Sequence, residues 1–188
     1  MEIYLIRHPE VNIDPGICYG WSDVGVSDDS LKFAVAKVLR NIPGNSGFNF
    51  YCSDLIRCRV LAEKISSGNI YYSSAIRELN FGNWEMKLWN EIPQDELNFW
   101  MEDFVNRNCS GGESYKELCD RVINFWNSLV KKDDDKIAVI THGGVIRSIL
   151  CHALDIPLKN AFKLKIDYAG ISKVTITNNN ELVEFINK

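Results

Sequence analysis

An arginine and a histidine stand side by side at the end of a short apolar run. Residues 3–6 read as a buried strand, Arg7 and His8 follow it, and Pro9 stops it. A guanidinium presents a planar fork of donors that fits phosphate oxygens. An imidazole beside it can serve as base, acid or nucleophile. Two further strand ends carry the same residue types. Ser53 follows a second apolar run, residues 48–52, with Arg57 in the opening turns of the helix behind it. His142 follows a third run, residues 137–141, and Gly143 and Gly144 open another helix. Taken singly, each has a plain reading: a basic dipeptide after a strand, a surface helix arginine such as Arg59, a hydrogen-bonded strand-end histidine, a glycine pair that permits a tight turn. Taken together they mark three strand ends. In a parallel sheet all three lie on one edge, which is where open α/β sheets bind ligands. Two guanidinium groups, two imidazoles and helix N-termini with free N–H donors then face one point. A phosphoryl group is the natural occupant.

The elements that must position these residues alternate between helix and strand, which predicts an α/β domain with a mainly parallel sheet. A loop over residues 9–26 contains Pro15, Gly16, Gly20 and Gly25. Ser27 caps a helix whose Leu31, Ala34, Val35, Val38 and Leu39 keep helical spacing, and residues 44–47 break it. Ser53 is placed to cap the next helix, with Asp54 favourable in its first turn and Gly68 at its end. Residues 70–73 form a short strand, residues 95–105 a helix and residues 110–112 a loop. Ser114 and Glu117 make a capping box for a helix with Leu118, Val122, Phe125 and Leu129 on one stripe. Residues 131–136 read as a solvated charged turn. The helix after His142 runs to about Leu154, and His152 within it reads as structural or exposed. Residues 163–185 hold two or three short strands with a turn at 178–180. Linkers, repeats and low-complexity stretches are not seen.

Composition narrows the function. A chain of 188 residues fits one domain with a sizeable core. Its formal charge of −4 gives no general surface for nucleic acid or anionic membranes. The first strand begins at residue 2, leaving no room for a signal peptide, and no apolar run approaches membrane-spanning length. Cys18, Cys52, Cys58, Cys109, Cys119 and Cys151 form neither a CxxC pair nor a zinc pattern. Reduced thiols in a cytoplasmic protein are expected. With three histidines and no ligand spacing, no metal site is expected.

At this point the residues resemble a known family. Leu-Ile-Arg-His-Pro-Glu at 5–10 resembles the Arg-His-Gly-Glu signature of the histidine phosphatase, or phosphoglycerate mutase-like, superfamily. Ser-Asp-Leu-Ile-Arg at 53–57, with Ala62 and Glu63, resembles its second arginine motif. Arg77-Glu78 and the segment 79–85 resemble its acid motif. Gly-Gly-Glu-Ser at 111–114 and Thr-His-Gly-Gly-Val-Ile-Arg at 141–147 match two more. The motifs occur in family order and cover the chain from end to end.

The resemblance implies a three-layer α/β/α, phosphoglycerate mutase-like fold over residues 1–188, with residues 79–113 as a small cap. It implies a metal-independent phosphomonoesterase without a cofactor. His8 matches the nucleophile that becomes phosphohistidine, and Arg7, Arg57 and His142 match the phosphate pocket, His142 also counting as catalytic. Glu78 matches the general acid and ranks above Glu85 for that role. The chemistry is coherent: a neutral imidazole attacks phosphorus in line while arginines neutralise the equatorial oxygens. A carboxylic acid protonates the alkoxide, then activates water against the P–N bond. One departure is Pro9, where the family has glycine. It removes a backbone N–H and biases His8 toward an extended conformation, which bears on rate and substrate preference more than on reaction class.

For the substrate, the cap offers Lys87 and Arg107 against Glu85, Glu91, Asp95, Glu96, Glu102, Asp103 and Glu113. An acidic rim disfavours a polyanion, unless it is simply a solvated helix face. Phe81, Trp84, Trp89, Phe99, Trp100 and Phe104 are mostly core, with one or two free to stack on a flat ring. Gly-Ile-Cys-Tyr-Gly at 16–20 with Ser22-Asp23, and Phe-Gly-Asn-Trp-Glu-Met at 81–86, resemble the alpha-ribazole phosphatase branch. That implies removal of the 5′-phosphate of a benzimidazole riboside in cobalamin biosynthesis. The other readings are a broad-specificity sugar or nucleotide phosphatase, a phosphoglycerate mutase, and a phospho-ligand binding protein without turnover. The joint presence of His8 and Glu78 argues against the last, since binding alone needs neither.

Overall fold

Ile3, Tyr4, Leu5 and Ile6 are all buried, as a strand covered on both faces requires. They belong to β1 (Glu2–Arg7), followed along the chain by β2 (Phe48–Ser53), β3 (Ile70–Ser73), β4 (Lys136–Thr141), β5 (Ile171–Thr177) and β6 (Asn180–Phe185). The computed structural model describes residues 1–42, 47–132, 134–178 and 180–188. In it the six strands form one sheet of order β3-β2-β4-β1-β5-β6. β3, β2, β4 and β1 are mutually parallel, while β5 runs antiparallel to β1 and β6 antiparallel to β5.

Strand alternation divides the core in two. Ile3 and Leu5 face α4 (Tyr115–Leu129) and α5 (Gly143–Ala153), while Tyr4 and Ile6 face α1 (Asp28–Asn41) and α2 (Ile56–Ile65). This is the expected arrangement of helices on both faces of the sheet. Register then fixes the active edge: Arg7 lies beside Thr141, and Cys52 beside Ile140. The residues that follow, His8, His142 and Ser53, therefore emerge together at the carboxyl edge.

The helix ends follow local chemistry where a local partner wins. Ser27 Oγ accepts the Ser30 N–H at 3.2 Å at the start of α1. The Ser114–Glu117 capping box opens α4, with Leu118, Val122 and Leu129 buried behind it. At α2 the expected cap is corrected. Ser53 ends β2 and turns its hydroxyl toward His142, while the Ile56 N–H is taken by Asp23 Oδ1 at 2.6 Å. Asp54 pairs instead with Arg77 through two bonds of 2.6 and 2.5 Å. The helix stops at Ile65, before Gly68. The helix expected over 95–105 is α3 (Gln94–Glu102), and in the tail the strands begin only at Ile171, after a 3-10 turn over Leu158–Lys163. Residues 44–46 of the expected break, Asp133 of the charged turn and Asn179 of the last turn lie outside the described residues. No helix among the described residues is long and apolar enough to cross a membrane.

Candidate active site

The end of β1 presents His8 in a defined state. Its backbone N–H donates to the Thr141 carbonyl at 2.9 Å, and its carbonyl accepts the Ala169 N–H at 3.1 Å. Its ring Nδ1 lies 2.7 Å from the Pro9 carbonyl. A carbonyl only accepts, so Nδ1 carries the proton and Nε2 keeps its lone pair. Proline lacks the N–H that glycine would bring, but it retains the carbonyl that orients the imidazole. The residue is 1 % exposed. Burial, then the charges of Arg57 and Arg7, hold its pKa well below the ordinary 6.5. At neutral pH it is an uncharged imidazole with one free nitrogen.

A cavity of about 270 Å³ reaches this ring, and Arg7, Glu78, Arg147, Tyr19 and Tyr168 share its wall. Arg7 Nη1 donates to the Ile166 carbonyl at 2.6 Å, and its guanidinium lies 3.9 Å over the Tyr168 ring. Its buried Nε has no hydrogen-bond partner among the described residues. An unsatisfied buried donor costs about 1–3 kcal/mol. Arg147 Nε donates to the Leu164 carbonyl at 2.9 Å, and burial lowers its pKa. Among the described residues neither arginine has an ion-pair partner.

Glu78 follows the 3-10 turn Ser74–Ile76 after β3. Its Oε1 accepts the Leu79 N–H at 2.9 Å, and its Oε2 accepts the Gly144 N–H at 3.1 Å. A Cβ at Gly144 would collide with this carboxylate and displace it. The N–H donors expected to be free at two helix starts are thus engaged, Ile56 by Asp23 and Gly144 by Glu78.

Arg57 and His142 are fully buried and lie behind His8 rather than on the cavity wall. Arg57 Nη1 donates to the Ser22 carbonyl at 2.8 Å, Nη2 to the Gly20 carbonyl, and Nε to His142 Nδ1 at 3.3 Å. Arginine stays protonated, so His142 Nδ1 is the acceptor and its Nε2–H donates to Ser53 Oγ at 2.8 Å. The two imidazole rings meet edge-on with centroids 5.1 Å apart. The five residues singled out in the sequence converge, but in two layers: Arg7, His8 and Glu78 outside, Arg57 and His142 beneath.

Glu85 sits off the wall and ties loops together, accepting the Trp21 N–H at 2.7 Å, the Phe81 N–H at 3.1 Å and both donors of Ser22. Of the six cap aromatics, Phe81 and Trp89 reach the cavity, Trp84 is core, and Phe99 stacks on Arg107 outside. Sequence reasoning missed Arg147, Tyr19 and Tyr168 as wall residues. Arg147 was visible as one helical turn beyond Gly143, on the face that looks over the strand ends. The tyrosines lie in loops, where no periodicity marks them; their hydroxyls meet at 2.8 Å.

The buried histidines make stability depend on pH. Burial, then Arg57, also hold the His142 pKa well below 6.5. Unfolded, both imidazoles take up protons near 6.5, and the native state refuses them. Stability is therefore full above that value and falls as pH drops below it, by up to about 1.4 kcal/mol per pH unit for each ring. The urea midpoint should fall between about pH 7 and pH 5, and His142→Asn should flatten the fall. A midpoint constant across that window would contradict neutral buried rings. The lowered Asp54 carboxyl, hydrogen-bonded to Arg77, acts in a separate window below the ordinary carboxylate range.

A family model, histidine phosphatase superfamily (branch 1), matches residues 3–188. The metal-independent phosphoserine phosphatase of Arabidopsis thaliana is 28% identical over 158 residues, covering 79% of this chain and 66% of that protein. The alpha-ribazole phosphatase of Shigella flexneri has the same fold, with a TM-score of 0.90 at 20% identity over 100% of this chain and 96% of that one. The phosphoserine phosphatase of Entamoeba histolytica, solved with 3-phosphoglyceric acid, gives a TM-score of 0.85 at 20% identity, again over 100% and 96%.

Proposed function

Because the chain belongs to the histidine phosphatase superfamily (branch 1), we propose that it hydrolyses phosphomonoesters without a metal, through a phosphohistidine on His8. The observation that carries this reading is a neutral His8, its Nδ1 proton held by Pro9, on one cavity wall with the Arg7 guanidinium. The substrate phosphoryl group lies against Arg7, within reach of His8 Nε2. Nε2 attacks phosphorus, the ester P–O bond breaks, and the leaving oxygen takes its proton from the Glu78 carboxyl. A water then gives its proton to the Glu78 carboxylate. Its oxygen displaces Nε2, the P–N electrons return to the ring, and phosphate leaves. Arg57 adds positive charge from beneath, and with His142 it keeps His8 in register. Residues 79–113 act as the cap, bringing Leu79, Phe81 and Trp89 to the cavity.

For the leaving group, the rings of Tyr19, Tyr168, Phe81, Trp89 and Phe162 on the cavity wall support a flat aromatic riboside, alpha-ribazole 5′-phosphate. A second reading has its own support. Arg147, on the same wall and without an ion-pair partner among the described residues, suits a leaving group that carries a carboxylate, such as the serine of phosphoserine. A panel of phosphomonoesters in the presence of a chelator separates these readings. Alpha-ribazole 5′-phosphate should exceed phosphoserine and 3-phosphoglycerate in kcat/KM by about tenfold or more. The reverse order moves the assignment to the Arg147 reading. Failure to turn over any monoester, p-nitrophenyl phosphate included, makes the cavity a binding site rather than a catalytic one.

A further inference from the structure

The segment that carries Glu78 is held by a residue outside the cavity. Arg121, on α4, uses all five of its N–H donors. Nη1 donates to the carbonyls of Ala75 at 2.9 Å and Arg77 at 2.8 Å, and Nη2 donates to the carbonyl of Glu78 at 2.7 Å. Nε and Nη2 form a paired bridge to Glu113, at 2.9 and 3.0 Å. Glu113 in turn accepts the Asn80 N–H at 3.0 Å, and its own N–H donates to the Asn80 carbonyl at 2.8 Å. The chain is therefore gripped on both sides of Glu78, by Arg121 before it and Glu113 after it. The Trp21 indole adds a second donor to the Glu78 carbonyl at 2.7 Å.

We propose that Arg121, braced by Glu113, is a positioning residue for the proton donor. It fixes the backbone from Ala75 to Glu78 so that the carboxyl meets the leaving oxygen. The proposal rests on the phosphatase reading above. Among the described residues no sheet ladder holds this segment past Ser73, and the Glu78 carboxylate is held only by the N–H groups of Leu79 and Gly144. A misplacement of about 1 Å in a catalytic group costs on the order of 100-fold. Lysine cannot replace the grip, because an ammonium offers three donors from one point where the guanidinium offers five in a plane.

The consequence is selective. An alkoxide needs a proton to leave, whereas p-nitrophenolate leaves without one. A loosened Glu78 therefore slows alkyl esters in particular. The measurement is kcat/KM, which reports the steps up to release of the alcohol, for p-nitrophenyl phosphate and for the alkyl monoester that the wild-type protein turns over fastest. In Arg121→Lys the alkyl-to-aryl ratio should fall by about 100-fold, and Glu113→Gln should move it in the same direction by less. In a Glu78→Gln background, Arg121→Lys should lower the ratio no further, since the group it positions is gone. An equal loss on both esters, or an unchanged ratio, overturns the proposal, because a purely structural role lowers both alike. If Arg121→Lys does not fold, Glu113→Gln decides by the same ratio. The underlying reading fails separately: turnover that survives His8→Ala rejects the phosphohistidine, whatever the ratio in the Arg121 variant.

Discussion

His8→Ala should remove turnover of every phosphomonoester, by on the order of 10⁴-fold or more, as loss of a covalent nucleophile does. His142 cannot take over, although its ring is the neighbour of His8. Its Nδ1 lone pair is committed to Arg57, and its Nε2 carries the proton donated to Ser53. It has no free nitrogen to offer phosphorus. Water could replace His8 only without the preorganised attack that the Pro9 carbonyl provides. The substitution also removes a buried imidazole that is neutral at pH 7, so it exposes no uncompensated charge. The Arg7 donors remain, and the variant should still bind inorganic phosphate. Rapid quenching of the wild-type enzyme with labelled substrate should trap an acid-labile, base-stable phosphoenzyme, and the variant should trap none. Turnover near the wild-type rate in His8→Ala would end the assignment.

The parts of this site that could be read from the sequence are those set by the sheet. β1, β2 and β4 are apolar runs of one length, and parallel pairing necessarily brings their ends to one edge. The Ser114–Glu117 box was equally legible, because both partners lie within one turn of chain. The cap of α2 was not. Capping needs only an oxygen near a free N–H, and Asp23, 33 residues upstream, supplies it, leaving Ser53 for His142. The layering of Arg57 and His142 beneath His8 was hidden for a similar reason. It depends on the carbonyls of Gly20 and Ser22, which belong to a loop whose path no periodicity encodes. Pro9 shows the reverse case. Its missing N–H was evident from the residue type, while the use of its carbonyl became visible only with the ring in place.

Glu78→Gln should lower kcat/KM for alkyl esters by about 10²–10⁴-fold, with a far smaller loss for p-nitrophenyl phosphate. The amide keeps the shape of the carboxyl and can still accept the Leu79 N–H, but its NH₂ then faces the Gly144 N–H, donor against donor. That mismatch costs about 1–3 kcal/mol, a modest price in folding and too little to account for the loss of rate by unfolding. What the amide cannot do is surrender a proton to an alkoxide, or take one from water. The first defect is masked when the leaving group is p-nitrophenolate; the second is not, because every substrate passes through the same phosphohistidine. With the aryl ester the variant should therefore release close to one equivalent of p-nitrophenol per His8 in a rapid burst, then turn over slowly as P–N hydrolysis becomes limiting. Stopped-flow absorbance at neutral pH reads both phases. If the two esters lose activity in parallel and no burst appears, Glu78 is not the proton carrier, and the carboxylate on the cavity wall only shapes the pocket.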